Sequence, residues 1–271
     1  MKIFSLLVFI TLFNVANAQY KLKKGQQITI DNTSTGEINM GMGMTMQNNN
    51  RTEMTLDVTD EKENVYTINA KLTKTKISMD MMGQSTTYDS ENPADKDSEL
   101  GKNITPYLNT PVVYIMNKIT GKAVRETPDT LMAAGPMGGL MEMTGDQGGK
   151  FIGEGFLVID NDRKKLGTWI TSDSTKESKT QTTYTIEAVK GNDAAVKFES
   201  TTTASTVTEQ QGMQVTVNMV TKSKGLINSD IKTSLVSKRT ADTEITGSFE
   251  VMGQSSDISG KINSVTTYQT K

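Results

Sequence analysis

Proline cannot donate a backbone hydrogen bond, and where it falls limits this 271-residue chain more than any motif does. All five prolines (Pro93, Pro106, Pro111, Pro128 and Pro136) lie between residues 93 and 136, and a glycine-dense stretch from Gly135 to Gly155 follows. Sheet interiors exclude proline because each one removes a rung of the ladder. Two long proline-free segments are therefore free to form continuous strands, and the centre is not. The pattern predicts a first β half over residues 19–126, a helical and Gly-rich connecting insert over 127–155, and a second β half over 156–271.

Period-two alternation supports the two halves. In the first, Met40, Met42, Met44 and Met46 alternate with small or polar residues. Met54, Leu56 and Val58 follow, then Tyr66, Ile68, Ala70 and Leu72, then Ile77, Met79 and Met81. Asn48-Asn49-Asn50 and the run Asp60 to Asn64 read as turns between them. The second half alternates at Tyr184, Ile186 and Ala188, at Val196 and Phe198, at Met213, Val215, Val217 and Met219, and at Ile245, Phe249 and Val251. The intervening residues are Thr, Ser, Lys and Asp, as expected of antiparallel sheets wetted on one side. Val65-Tyr66-Thr67-Ile68-Asn69-Ala70 resembles Thr183-Tyr184-Thr185-Ile186-Glu187-Ala188, and Met82-Gly83-Gln84-Ser85 matches Met252-Gly253-Gln254-Ser255, a hint of duplication whose two offsets no single repeat length accommodates.

The predicted fold is mainly β, with curved antiparallel sheets forming either a half-barrel or a two-half β architecture. A short helical and loop insert near 127–150 is predicted to cover the concave apolar face. Within it, Thr127 as N-cap and Pro128 in the first turn predict a helix through Ala134. Met137 to Met143 predicts a second helical piece, and Gly145 to Gly155 a mobile loop. Asp160 to Lys165 reads as a charged turn.

The first eighteen residues have the form of a cleavable signal: Lys2, an apolar run from Ile3 to Phe13, and Ala16-Asn17-Ala18. The reading is an exported chain, periplasmic or extracellular, cleaved after Ala18. The apolar run is shorter than the roughly 20 residues a spanning helix needs, so the mature chain is not expected to be integral to a membrane.

The chain has no cysteine and no histidine. Disulfides, thiolate metal sites, Ser-His-Asp and Cys-His catalysis are excluded, as is ordinary zinc chemistry. A formal net charge of −2 offers no basic face for nucleic acid. Ser229-Asp230-Ile231-Lys232 is an isolated S-x-x-K match on β-like sequence, which puts the hydroxyl and the amine on opposite faces. No catalytic residue, cofactor or metal site is assigned, and the chain is expected not to be an enzyme. The acidic run Asp89, Glu91, Asp95, Asp97 and Glu99 lacks the spacing of an EF-hand and reads as a solvated turn.

Leu22-Lys23-Lys24-Gly25-Gln26, the Met82 to Ser90 run, Val112 to Arg125 with its Gly121-x-x-Val124 turn, and Lys165-Leu166-Gly167-Thr168-Trp169 together resemble a family of exported proteins of Bacteroidota-type bacteria, a domain of unknown function. The resemblance implies an envelope or extracellular address and a β-rich fold. It implies no activity, cofactor or catalytic residue.

Methionine supplies the candidate site. There are 17 in the chain, and Met40, Met42, Met44, Met46, Met79, Met81, Met213 and Met219 fall on predicted apolar strand faces. Unbranched thioethers fill irregular cores and adapt to apolar ligands, and they are also soft ligands for Cu(I). The leading expectation is an exported envelope protein that binds an apolar or lipid-like ligand in a curved-sheet groove. The alternatives are a structural or interaction module of the envelope without a small ligand and, third, Cu(I) binding.

Overall fold

The computed structural model describes residues 21–41, 43–81, 83–126, 147–210, 213–251 and 253–271. The predicted signal (1–18) and the two predicted helical pieces (127–134 and 137–143) lie outside the described residues.

Among the described residues, twelve strands make one antiparallel sheet: β1 (Gln27–Asn39), β2 (Thr45–Glu61), β3 (Val65–Met81), β4 (Gln84–Asp89), β5 (Pro111–Asn117), β6 (Ala123–Arg125), β7 (Thr168–Ser174), β8 (Ser178–Lys190), β9 (Asp193–Gln210), β10 (Met213–Asp230), β11 (Val236–Val251) and β12 (Gln254–Thr270). The order is β6-β5-β3-β2-β1-β12-β11-β10-β9-β8-β7, with β4 pairing with β3 off that path. The first and last strands pair with each other, Ile30 opposite Tyr268, so the two halves form one continuous sheet. The sheet is not closed; β6 and β7 are its edges. Of the two predicted architectures, the half-barrel is the one found.

The prolines sit where the ladder stops. Pro93 and Pro106 open short 3-10 turns (Pro93–Asp97 and Thr105–Tyr107) on either side of α1 (Glu99–Ile104), and Pro111 is the first residue of β5. Among the described residues, two further helices, α2 (Gln147–Glu154) and α3 (Asn161–Leu166), lie between the halves.

Four local expectations are corrected. Gly145–Gly155 is not wholly a loop, because Gln147–Glu154 is helical. Its glycines serve close packing: a Cβ on Gly148 would run into the Tyr114 hydroxyl, and one on Gly155 would sit 2.8 Å from the Tyr268 ring. Asp160 to Lys165 is not a bare turn but the start of α3, where the Asp160 carboxylate accepts from Arg163 N at 2.8 Å and Gly167 ends the helix at φ 71°. Asn48-Asn49-Asn50 is not a turn; it lies inside β2, paired with β1 and β3. Met40 to Met46 is not one strand. Residues 40–44 join β1 to β2, closed by Met40 N donating to Met44 O at 2.9 Å, with Gly41 and Gly43 at φ 75° and 76°.

The sheet curls because glycine lets neighbouring backbones close up on its inward side. A Cβ on Gly225 would lie 1.9 Å from Thr240 O, and one on Gly247 would lie 2.1 Å from Asn218 O. A bulge in β3 matters as much. The register shifts between Lys74 and Leu72, opposite Glu53 and Met54. The extra residue, Thr73, donates to Glu53 O at 3.0 Å. It reverses the alternation, so Tyr66, Ile68, Ala70 and Leu72 share a face with Ile77, Met79 and Met81.

The core occupies one end of this inward face. Ile28, Ile30, Leu56, Val58, Ile68, Val196, Phe198 and Tyr268 are buried there against a plug made of α2 and the segment after it: Ile152, Phe156, Leu157, Val158 and Ile159. Each such aliphatic side chain contributes about 1.5–3 kcal/mol by burial. The part of the inward face that is covered is covered by residues 151–159, beyond the predicted 127–150 insert, of which 127–146 lie outside the described residues.

Candidate functional site

Register and alternation divide the inward face into three zones along the strands. The first is the plugged core. The second is a belt of small polar side chains: Asn48, Asn50 and Thr52 on β2, Asn32 and Ser34 on β1, Ser264 and Thr266 on β12, Thr243 on β11, Ser223 on β10, Ser200 and Thr202 on β9, and Thr180 and Thr182 on β8. Much of this belt pairs with itself: Asn32 Nδ2 donates to Thr266 Oγ1 at 2.8 Å, and hydroxyls meet at Thr182–Ser200 (2.8 Å), Thr180–Thr202 (2.9 Å) and Ser223–Thr243 (2.8 Å). The third zone, towards the hairpin ends, is apolar again. It holds Ile38, Met46, Met79, Ile245, Phe249, Val217, Met219 and Ile258, and most of it is half-buried.

Charge enters the face at its plugged end, where Arg125 of β6 lies opposite Tyr114, Lys118 pairs with Glu61 over the Tyr66 ring, and Arg239 pairs with α2. Arg239 on β11 reaches Glu154 of α2 at 3.3 Å, and its guanidinium lies 4.3 Å above the Phe198 ring. Both side chains are largely shielded, at 14% and 21% exposed. Beside them Tyr268 donates from its hydroxyl to Phe151 O at 3.2 Å. Burial, then the nearby Glu154 carboxylate, pushes the Tyr268 phenol well above its ordinary value. Burial also raises Tyr184, which stacks on Trp169 at 5.1 Å. This cluster latches α2 into the sheet. Trp169 is thus a core residue.

The sheet edges approach each other at the plugged end. Lys122, just before β6, reaches Asp173 of β7 at 3.3 Å. Val124 and Ile170, on those two edge strands, are 56% and 59% exposed.

The predicted methionines are partly gathered. Met46, Met79 and Met81 share the inward side of β2 and β3, with Met46 directly opposite Met81. Met219 lies on the same face of β10, opposite Gly247 and Ala204. Met213 begins β10. Met40 and Met44 flank the β1–β2 turn, and Met42 lies outside the described residues. The apolar zone is therefore composed as much of Ile, Val and Phe as of Met. The residues missed in the sequence are Asn48 and Asn50, whose side-chain oxygens are shielded from solvent and meet no hydrogen-bond donor among the described residues.

The remaining motifs have local roles. Ser229 is buried at the end of β10, its hydroxyl donating to Leu235 O at 3.2 Å, while Lys232 is exposed. Asp95 closes its own turn by accepting from Asp89 N at 2.8 Å and Asn92 Nδ2 at 2.7 Å. Among the described residues, no group of three or more Asp or Glu could hold a metal ion.

The outward face is mainly polar, with Asp31, Thr33 and Thr35 on β1, Arg51, Glu53 and Asp57 on β2, Lys222 and Lys224 on β10, and Glu244 and Lys261 on β11 and β12, interrupted by the exposed Val124, Ile170, Val207 and Val265. A shallow polar depression of about 470 Å³ opens on that side between Thr35, Glu37, Gln47, Ser78 and Lys261. No described helix is long and apolar enough to cross a membrane.

No protein-family model and no curated protein sequence matches the chain. Among solved structures, it is similar to a lipovitellin, in a structure that describes lipid–protein interactions. The identity is 12% and the TM-score 0.51, over 92% of this chain and 25% of that one. The chain thus spans about a quarter of the lipovitellin chain's length, and at this identity the likeness shows the fold alone. An outer membrane channel from Pseudomonas putida F1 aligns at 7% identity over 92% of this chain and 97% of the channel, with a TM-score of 0.27. OccK5 of Pseudomonas aeruginosa aligns at 5% over 91% and 98%, with a TM-score of 0.25. At those scores neither carries a structural argument.

Proposed function

We propose that this is an exported, non-enzymatic binding protein that holds an apolar, lipid-like ligand against the distal part of its inward face, and that it belongs with the exported family its motifs resemble. One observation carries the reading. The apolar surface around Ile38, Met46, Ile245, Phe249 and Met219 continues the inward face beyond the polar belt, while the plug of residues 151–159 fills only the opposite end. A surface of aliphatic and thioether side chains has no strong directional partner and suits an acyl or similar chain.

The outward face supports a water-exposed protein. A membrane barrel carries an apolar band outside and polar groups inside, and the faces here are the reverse. The fold-level likeness to lipovitellin is in keeping with a lipid-like ligand.

A fluorescent fatty-acyl probe titrated into the mature chain tests the reading. Saturable binding is expected, weakened at least tenfold in Phe249→Asp with the urea midpoint checked separately. Absence of saturable binding, or an unchanged titration in a folded Phe249→Asp protein, would contradict it.

The exposed Val124 and Ile170 on the two edge strands favour a second reading, an envelope interaction module that engages a partner at this seam. Val124→Ser with Ile170→Ser would then abolish partner capture and leave probe binding intact.

A further inference from the structure

The belt and the apolar zone beyond it form one surface, and the hydrogen bonding of the belt is uneven. On β8 to β11 its hydroxyls pair with one another, and Asn32 is paired with Thr266 of β12. On β2 the carboxamide oxygens of Asn48 and Asn50 have no donor among the described residues, although both are shielded from water. They lie two residues apart on one strand face, about 7 Å from each other along β2. Beside them, Gly36 lies opposite Asn48, and the Ile262 side chain of β12 packs over it: a Cβ on Gly36 would be 2.8 Å from Ile262 Cγ1 and 3.1 Å from Asn48 Oδ1. Across the ladder Met79 lies opposite Asn48 and Ile77 opposite Asn50, and directly beyond Asn48 on the same face comes Met46, with Ile38 and Met81 opposite it.

Leaving a buried polar group unpaired costs about 1–3 kcal/mol. Two of them side by side, at the border of an apolar surface, mark the place where a ligand's polar end makes its hydrogen bonds. The chemistry narrows that end. A hydroxyl both donates and accepts, so it satisfies a carboxamide in either orientation; an ionised carboxylate or phosphate only accepts. The charges on the inward face also decide against an anion, because its cations sit at the plugged end, with Arg239 engaged by Glu154, Lys118 by Glu61, and Arg125 opposite Tyr114, and none of these lies on the strands paired beside Asn48 and Asn50.

Resting on the proposed apolar-ligand function, we infer that the ligand is a neutral amphiphile bearing free hydroxyl groups. Its polar head is seated on Asn48 and Asn50, and its hydrocarbon chain runs over Met46, Ile38 and Met79 towards the hairpin ends.

The test displaces a fluorescent fatty-acyl probe with three competitors of equal chain length: a 1-monoacylglycerol, the free fatty acid and the n-alkane. Wild-type protein is compared with an Asn48→Leu/Asn50→Leu variant, each with its urea midpoint recorded. The wild type is expected to take the monoacylglycerol about tenfold or more tighter than the other two. The variant is expected to lose that preference while keeping its affinity for the alkane. If the wild type takes the fatty acid or the alkane as tightly as the monoacylglycerol, or the variant keeps the preference, the headgroup inference is overturned and the apolar site stands. If no competitor displaces the probe and the probe itself does not bind, the underlying function falls, and the inference with it.

Discussion

Asn48 and Asn50 look like turn formers, and three consecutive asparagines are common between strands. They are strand residues because β2 runs seventeen residues, longer than its apolar alternation at Met54, Leu56 and Val58 reveals. Pairing with β1 and β3 on both sides overrides local preference. Without ligand, their unpaired oxygens are a liability, so Asn48→Leu and Asn50→Leu are each expected to stabilise the free protein by about 1–2 kcal/mol, read as a higher urea midpoint at unchanged slope. A lower midpoint would mean that the side chains make bonds their geometry does not show. Tyr268 gives a second residue-scale expectation. Its phenol is raised in the folded chain by burial, so folded protein keeps a proton that unfolded protein loses above about pH 10. The associated stability is complete below that pH and declines as pH rises past it. Tyr268→Phe is expected to flatten this alkaline decline, while also losing the bond to Phe151 O, in urea midpoints measured from pH 8 to 11.

At the scale of elements, the central question is how the plug stays in the sheet. Ile152, fully buried, anchors α2 in the core, and Ile152→Ala is expected to cost about 2–5 kcal/mol. Glu154→Ala leaves Arg239 shielded and unpaired and is expected to cost about 3–5 kcal/mol, whereas a double Glu154→Leu/Arg239→Met exchange recovers most of that. Thermal or urea unfolding distinguishes the two. The strands of this sheet were legible from alternation and from the exclusion of proline. The helix α2 was not, because glycine signals flexibility in a sequence, and only the structure shows Gly148 and Gly155 fitted against Tyr114 and Tyr268. The β3 bulge was equally hidden: Leu72 and Ile77 read as opposite faces until the extra Thr73 is placed.

Over the whole molecule, the sequence pattern specified a mainly β protein with a curved antiparallel sheet, but placed its cover at 127–150, whereas the plug seen among the described residues is 151–159. It did not specify that β1 and β12 pair, since that contact joins residues at opposite ends of the chain, and strand alternation carries no information about distant partners. The pairing turns two halves into one half-barrel and lines up their polar residues as a continuous belt, with apolar surface on either side. The site inherits the same limit. Individual methionines were visible, but the zone they share with Ile38, Ile245 and Phe249 exists only once the halves meet. The most direct measurement is native mass spectrometry of the protein purified without detergent, alongside Phe249→Asp prepared in parallel. Wild-type protein is expected to carry about one equivalent of a small lipid-like adduct, released by organic solvent and missing from the variant. A wild-type spectrum showing only the bare polypeptide mass, with acyl probes failing to bind afterwards, would contradict the account.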